Sequence, residues 1–248
     1  MKKLVTVFAA CAIAGMAMAL DSNIVGYTTK DVAANQKVMS GAQFVEVGEA
    51  GLDLASIRLE GVPTGGSVFI DWWNGSTYTR ATWVDEVDDI EDNVGWGEPG
   101  SWAAVSHTFE PGEGFWITVP NVPNAKVTQS GEVALSKAAS FDYTLSANTK
   151  FMLINPLPTD ISLSDIKLAG VPTGGSAFID WWNGSAYTRA TWVDEVDDIE
   201  DNIGWGAPGS WAAVSHTFKP AEGFWILIPG GGSVVTPQVI IANKVVAQ

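Results

Sequence analysis

The chain has 248 residues, a formal net charge of −15 at pH 7 and a single cysteine, and 46% of its residues are hydrophobic. A strongly acidic surface repels nucleic acid and anionic lipid headgroups, so the composition argues against both as partners. One cysteine cannot form a disulfide within the chain, and stability must therefore come from the burial of apolar side chains.

The first 19 residues have the pattern of a secretory signal peptide. Two lysines precede an apolar run from Leu4 to Ala19, which ends in the small-x-small sequence AMA. This pattern predicts a secreted protein (extracellular, cell surface or periplasm) whose mature chain begins at Leu20 or Asp21, with no membrane span after cleavage. Cleavage would remove two lysines and Cys11 but no acidic residue, which changes the net charge to −17. Lipoprotein processing before Cys11 is the alternative, and the residues around Cys11 fit it poorly.

Strand and turn signals begin directly after this segment. Asn23–Thr29 predicts a first strand, because β-branched and aromatic residues precede a polar patch, and Lys37–Val47 predicts a second strand region. The apolar positions between Leu52 and Leu59 have mixed spacing. They favour a single helical turn or an irregular packed segment, which Gly61 and Pro63 would end.

A long stretch of the chain, from Gly61 to Ile117, occurs twice. The second copy, Gly170 to Ile226, lies 109 residues later, and all twelve tryptophans and both histidines fall inside the copies. Six of the 57 aligned positions differ: Val68/Ala177, Thr77/Ala186, Val94/Ile203, Glu98/Ala207, Glu110/Lys219 and Gly112/Ala221. A long fixed period predicts two equivalent structural units. We therefore divide the chain into a signal peptide (1–19), a first β-repeat domain (20–132) and a second β-repeat domain (133–248).

An Asn-Gly pair in each copy predicts a β-hairpin. Val68–Trp73 and Ser76–Trp83 flank Asn74-Gly75, and these two residues tolerate the positive φ that a tight turn requires. Both faces of the first strand carry bulky side chains, so the hairpin should be covered on much of both sides. Phe178–Trp192 repeats the pattern.

The period changes after the hairpin. Apolar residues three, three and four positions apart, with acidic residues between them, predict a short amphipathic helix over Thr82–Gly95 with an acidic outer face. The rest of each unit consists of short strands and Gly/Pro turns. The expected fold is therefore mainly β: two tandem homologous domains, sandwich- or barrel-like, each with one short acidic helix.

Two motifs carry a resemblance to a known type of module. WWNGSTYTRATW followed by PGEGFW resembles a secreted bacterial β-repeat, often found in tandem and marked by a W-[DN]-G-x-x-Y hairpin and a P-G-x-G-[FY]-W strand. NIVGYTT and KFMLINP look like the start of the same module, so the resemblance covers nearly the whole mature chain. It implies a surface-associated β-repeat protein and no particular activity. The acidic segment between the two motifs looks like an insertion.

The acidic segments are candidate calcium sites. Calcium takes six to eight oxygen ligands, which carboxylates can supply, although the spacing does not match an EF-hand loop. The alternative is an acidic surface that is simply solvated. No cofactor is required by the sequence, and calcium is the one candidate. Its expected ligands are Asp85, Asp88, Asp89 and Asp92 in the first copy and Asp194, Asp197, Asp198 and Asp201 in the second.

The tryptophans allow two interpretations. Exposed ring faces can stack on sugars, whereas buried tryptophans anchor the core of a small β domain. The candidates for sugar-stacking faces are Trp73, Trp116, Trp182 and Trp225.

We predict no catalytic residues. Ser106 and His107 are neighbours, and neighbours on a strand point to opposite faces, so they make a poor nucleophile and base. Carboxylate pairs such as Asp71 with Glu113 exist in any acidic chain. The favoured function is therefore an exported, non-enzymatic β-repeat protein with a structural or adhesive role at the cell surface or in the extracellular matrix. The alternative is a bivalent carbohydrate-binding protein. Polysaccharides and other surface proteins are the expected partners.

Overall fold

The fold is mainly β. The structure is a computed structural model, and it describes residues 25–62, 68–87, 92–119, 125–133, 140–146, 148–171, 177–196, 201–210, 212–228 and 238–242. The predicted signal peptide lies outside these residues. Within them the chain forms strands and two short 3-10 turns, with no helix of seven or more residues. In the same ranges, no helix has the length and apolar character to cross a membrane.

The first half of the chain contributes eleven strands. They are β1 (Val25–Val32), β2 (Gln36–Gly41), β3 (Phe44–Val45), β4 (Leu52–Asp53), β5 (Arg58–Glu60), β6 (Phe69–Trp73), β7 (Tyr78–Val87), β8 (Asp92–Gly97), β9 (Thr108–Phe109), β10 (Gly114–Val119) and β11 (Ala125–Val133). A five-stranded antiparallel sheet has the order β2-β10-β6-β7-β8, and a four-stranded sheet is built on β11, which pairs with β1, β3 and β5. The short strands β4 and β9 pair with each other.

The second half repeats this arrangement. Its strands are β12 (Ser140–Thr144), β13 (Thr149–Ile154), β14 (Ile161–Ser162), β15 (Ile166–Ala169), β16 (Phe178–Trp182), β17 (Tyr187–Val196), β18 (Asp201–Gly206), β19 (Thr217–Phe218), β20 (Gly223–Ile228) and β21 (Gln238–Ala242). They form a five-stranded sheet β13-β20-β16-β17-β18, a three-stranded sheet β12-β21-β15 and the pair β14-β19. The prediction of repeated units thus agrees with the order of the strands.

Strand register defines which residues of the two halves are equivalent. Gly114 pairs with Gly41 on β2, and Gly223 pairs with Ile154 on β13. Gly41 and Ile154 therefore occupy the same position, 113 residues apart, whereas the later strands are 109 apart. The four extra residues of the first half lie between β2 and β5, where β3 has no counterpart among the described residues of the second half.

The helix predicted over Thr82–Gly95 is wrong for the residues that the structure describes. Thr82–Val87 belongs to β7 and Asp92–Gly95 to β8, which pair in antiparallel register from Thr82 opposite Gly97 to Val87 opposite Asp92. The second half has the same pair, β17 and β18. Cross-strand contact explains the difference, because Trp83 and Trp96 lie opposite each other with ring centroids 5.2 Å apart. Such pairs stabilise a sheet regardless of the helical spacing of the valines. Residues 88–91 lie outside the described residues.

The Asn-Gly hairpins are confirmed, with a longer loop than predicted. Trp73 pairs with Tyr78, so the loop has four residues rather than two. The Asn74 side-chain Oδ1 accepts hydrogen bonds from the Ser76 and Thr77 backbone N–H groups at 3.1 and 2.9 Å, and Gly75 has φ +96°. Asn and Gly therefore each have a defined role in the turn.

Each half has its own buried apolar core, and a single 3-10 turn helps to close it. The turns are Leu54–Ser56 and Leu163–Asp165, where the sequence predicted one helical turn or an irregular segment. The indole Nε1 of Trp96 donates a 2.8 Å hydrogen bond to the carbonyl that follows the first turn, at Ile57. Trp205 donates to Ile166 in the same way at 2.6 Å. These tryptophans fasten the five-stranded sheet to the turn.

Candidate functional site: the clefts between the two halves

The two halves touch through the outer faces of their five-stranded sheets. On β10, Phe115 and Ile117 point into the core of the first half, so Trp116 between them points to the other face. The Ile154 N–H of the second half donates a 2.9 Å hydrogen bond to the Gly112 carbonyl of the first. A Cβ on Gly223 would lie only 2.1 Å from the Met39 sulfur, so this glycine permits the close approach.

Aromatic rings fill the centre of this contact. Trp225, on β20, packs edge-to-face against Trp73 and Tyr78 of the first half at 6.3 and 6.2 Å. The Lys150 ammonium lies 4.2 Å from the Trp225 ring centroid, and the Lys37 ammonium takes the equivalent place over Trp116 at 4.8 Å. Partial burial among these groups lowers the pKa of Lys150. Trp225 thus belongs by contact to the core of the first half.

The four tryptophans predicted as stacking faces divide into two groups. Trp116 and Trp225 are buried, at 6% and 3% exposure, so the exposed faces predicted there are wrong: contact between the halves covers them. Trp182 is 41% exposed, and Trp73 is half-buried. These two occupy equivalent positions and each pairs with a tyrosine at 5.2 Å. They differ in exposure because Trp225 also packs on Trp73.

Other tryptophan pairs have matching environments in the two halves. The equivalent rings Trp72 and Trp181 are both 4% exposed. Trp83 with Trp192, and Trp96 with Trp205, are likewise buried in both halves. The prediction of equivalent tryptophan burial is therefore confirmed for these pairs, and the contact between the halves explains the exception.

The larger cleft between the halves, which we call the hairpin cleft, has a volume of about 750 Å³. The first half supplies the hairpin tip and an acidic loop, and the second half supplies β12 and β13. Its lining residues are Trp73, Asn74, Gly75, His107, Glu110, Glu113, Gly114, Asp142, Tyr143, Thr144, Leu145, Phe151, Met152 and Leu153. A half-exposed indole, a terminal amide and three carboxylates suit a ligand with both an apolar face and hydrogen-bonding groups.

A histidine and a glutamate form the polar wall of the hairpin cleft. The His107 ring stacks on Trp72 at 4.7 Å, and its Nε2 lies 3.2 Å from the Glu113 carboxylate. The other oxygen of Glu113 accepts the Glu110 backbone N–H at 3.1 Å. His216 and Glu222 repeat this pair at 3.1 Å. We predicted an ordinary strand residue at His107; the available signal was the His and Glu six residues apart in both copies.

A tyrosine closes one end of the hairpin cleft. The Tyr143 hydroxyl donates a 2.9 Å hydrogen bond to the Pro111 carbonyl, and burial strongly raises the pKa of this phenol. Its ring lies directly against Gly112, which has φ +86°. The equivalent of Tyr143 in the first half is Lys30, since they pair with the equivalent residues Val239 and Val127. This difference separates the two clefts chemically.

The second cleft lies against the first half and is called the polar cleft here. It has a volume of about 380 Å³ and is lined by Thr28, Thr29, Lys30, Ser40, Gln43, Val127, Gln129, Lys219, Pro220, Ala221 and Glu222. Lys30 and Glu222 also line an adjoining groove of about 560 Å³ that extends to Trp182. Amides and hydroxyls dominate this lining, whereas the hairpin cleft has aromatic and acidic residues.

The carboxylates named from the sequence have separate partners. Asp71, 4% exposed, accepts two hydrogen bonds from the Arg80 guanidinium at 2.6 and 2.9 Å, and Glu113 is held by His107. Asp180 and Arg189 repeat the ion pair.

The calcium prediction concerns parts of the chain that are only partly described. Asp88, Asp89, Asp197 and Asp198 lie outside the described residues, as do the side chains of Asp85, Asp92, Asp194 and Asp201. Elsewhere, the described residues contain no group of three or more potential metal ligands. Calcium binding stays a prediction.

Fold and clefts together define a mainly β protein whose repeated sheets enclose two chemically different clefts. Neither a protein-family model nor a curated protein matches this chain.

Proposed function

We propose that this chain is an exported, non-enzymatic protein with a structural or adhesive role at the cell surface or in the extracellular matrix. The supporting observation is the use of its tryptophans. Among the eleven whose environment is described, eight are buried in the cores or in the contact between the halves. Rings spent in this way stabilise a rigid double unit and leave few free faces for a ligand. We also propose that residues 20–132 and 133–248 are homologous domains of the secreted bacterial β-repeat type.

Localisation and loss of function test this proposal in the organism that encodes the chain. An antibody against the mature protein should label intact cells or the matrix, and brief protease treatment of intact cells should remove the signal. Deletion of the coding sequence should weaken attachment or the integrity of the envelope. A protein found only in the cytoplasm, or a deletion without effect on either property, would contradict the proposal.

Carbohydrate binding is the second candidate, and one feature favours it. Trp73 and Trp182 occupy equivalent hairpin positions, retain exposed surface, and each lines a cleft between the halves. Two such faces on one molecule would bind a polysaccharide bivalently, with a gain from effective concentration if both reach the same ligand surface. The four tryptophans of the original prediction thus reduce to two.

Replacing Trp73 and Trp182 together by Ala tests the second candidate. Retention of the mature protein on insoluble cellulose, chitin or its own cell-wall polysaccharide should be lost, because each stacking face contributes about 1 kcal/mol or more. Far-UV circular dichroism must show that the double variant still folds. Trp102→Ala is the control, since Trp102 is also exposed and lines neither cleft. A folded double variant that is retained like the wild type would exclude these two rings.

Calcium dependence is a separate proposal for the acidic hairpins β7–β8 and β17–β18. If their aspartates bind calcium, millimolar calcium should raise Tm, because the ion binds the folded state preferentially. Magnesium should act more weakly, since it requires a tighter octahedral shell. Scanning calorimetry of the mature protein measures both. An unchanged Tm in calcium would leave only a solvated acidic surface.

A further inference from the structure

The first half carries a set of polar residues where the second half is apolar. Strand register gives the equivalences: Thr28 and Gln129 pair with each other, as do Phe141 and Ile241, while Ser40 and Leu153 pair with the equivalent phenylalanines of β10 and β20. Lys30 corresponds to Tyr143. All four polar residues line the polar cleft. Their four apolar or aromatic counterparts belong to, or pack against, the core of the second half.

The polar members of this set are deeply buried. Gln129 and Ser40 are each 3% exposed, and the neighbouring Gln43 is also buried. The Gln129 side-chain Oε1 is buried and has no hydrogen-bond partner among the described residues. Leaving a buried acceptor unpaired costs about 1–3 kcal/mol. The second half avoids this cost with Ile241 in the same fold, so the fold itself does not require glutamine at this position.

We propose that the polar cleft is a binding site for a neutral sugar, whose hydroxyl group donates to the Gln129 carbonyl oxygen. A hydroxyl both donates and accepts, which suits a lining with amides, hydroxyls, an ammonium and a carboxylate. The Lys30 ammonium is fixed by a 3.1 Å hydrogen bond to the Met39 carbonyl and retains further N–H groups for a ligand. Glu222, held by His216 and by the Lys219 backbone, offers an oxygen-lined opposite wall.

Charged ligands fit this cleft less well. An anion that only accepts hydrogen bonds leaves Gln129 Oε1 unsatisfied and faces Glu222, and a cation faces Lys30 and Lys219. The volume of about 380 Å³ lies within the ~300–1,000 Å³ typical of small-molecule sites. The adjoining groove leads to Trp182, so a chain of sugars has room to continue beyond the first residue. The site exists once per molecule and does not depend on the adhesive role or on paired tryptophan faces.

The second half supplies the substitutions that test this site. Gln129→Ile with Ser40→Leu places in the first half the residues that already fold in the second. Ser130→Leu is the matched control, because Ser130 is exposed and its side chain points away from Gln129 on the same strand. The three proteins are titrated with glucose, galactose, mannose, xylose and N-acetylglucosamine and with their β-1,4-linked disaccharides. Saturation-transfer NMR detects binding, and calorimetry measures the affinity.

We expect the wild type and Ser130→Leu to bind at least one of these sugars with equal affinity. The double variant should bind that sugar at least tenfold more weakly, while its Tm is equal to or above that of the wild type. A wild type that binds none of the panel would overturn the proposal. So would a folded double variant that keeps the wild-type affinity. If the double variant does not fold, Gln129→Glu is used instead; because it removes the amide N–H donors and adds a charge, unchanged sugar affinity in that variant would also overturn the proposal.

Discussion

Replacing Trp225 by Ala is expected to lower the free energy of unfolding by about 3–5 kcal/mol, the usual cost of truncating a large buried aromatic side chain. Trp225 lies on a strand of the second half, but its ring is buried against Trp73 and Tyr78 of the first. The cavity would therefore open between the halves. For a chain of this size the loss corresponds to a decrease in Tm of about 6–20 °C.

The same variant should also uncouple the two halves. With the central ring missing, calorimetry should resolve two unfolding transitions where the wild type has one, because each half retains its own core. Trp182→Ala is the matched control: Trp182 is 41% exposed, and its removal should cost less than about 1 kcal/mol. Equal costs for the two variants would mean that the halves are not held together by Trp225.

The sequence predicted features that depend on local chemistry. The Asn74-Gly75 turn follows from the side-chain and φ preferences of those two residues, and both preferences are used in the structure. The equivalence of the two halves follows from near-identity over the repeated stretch. Each of these predictions needs only neighbouring residues or a comparison of the chain with itself.

Features that depend on distant contacts were missed. Val84 and Val87 have helical spacing, but β7 pairs with β8 and places Trp83 against Trp96. Trp116 was predicted to be exposed because alternation sets it opposite a core residue, which is correct for one sheet alone. The second half then covers that face, and no local pattern records this contact.

The polar cleft illustrates the limit of comparing the repeats. Ser40, Gln129 and Lys30 lie outside the near-identical stretch, on strands whose alignment with Leu153, Ile241 and Tyr143 becomes clear only from strand register. Inside the stretch, the Gly112/Ala221 difference looks neutral. It has a physical reason only when Tyr143 and Lys30 are recognised as the respective neighbours of these loops.

Gly112→Ala is accordingly expected to lower the free energy of unfolding by about 2–4 kcal/mol. An added Cβ would lie 1.9 Å from the Tyr143 hydroxyl oxygen and 2.7 Å from the ring carbon that carries it. Overpacking of this kind costs about 1–3 kcal/mol, and an alanine at positive φ adds about 1–2 kcal/mol. Movement of Tyr143 would also break its hydrogen bond to Pro111.

A double-mutant cycle with Tyr143→Ala separates these contributions. In the Tyr143→Ala background, the cost of Gly112→Ala should fall to the backbone contribution of about 1–2 kcal/mol, because the ring is no longer there. The reciprocal change, Ala221→Gly, should alter stability by less than about 1 kcal/mol, since alanine already occupies φ +57° there. Urea unfolding of the four variants of the cycle measures the coupling. A cost of Gly112→Ala that is the same with and without Tyr143 would show that the tyrosine ring does not determine glycine at this position, and would leave the difference between the two copies without this explanation.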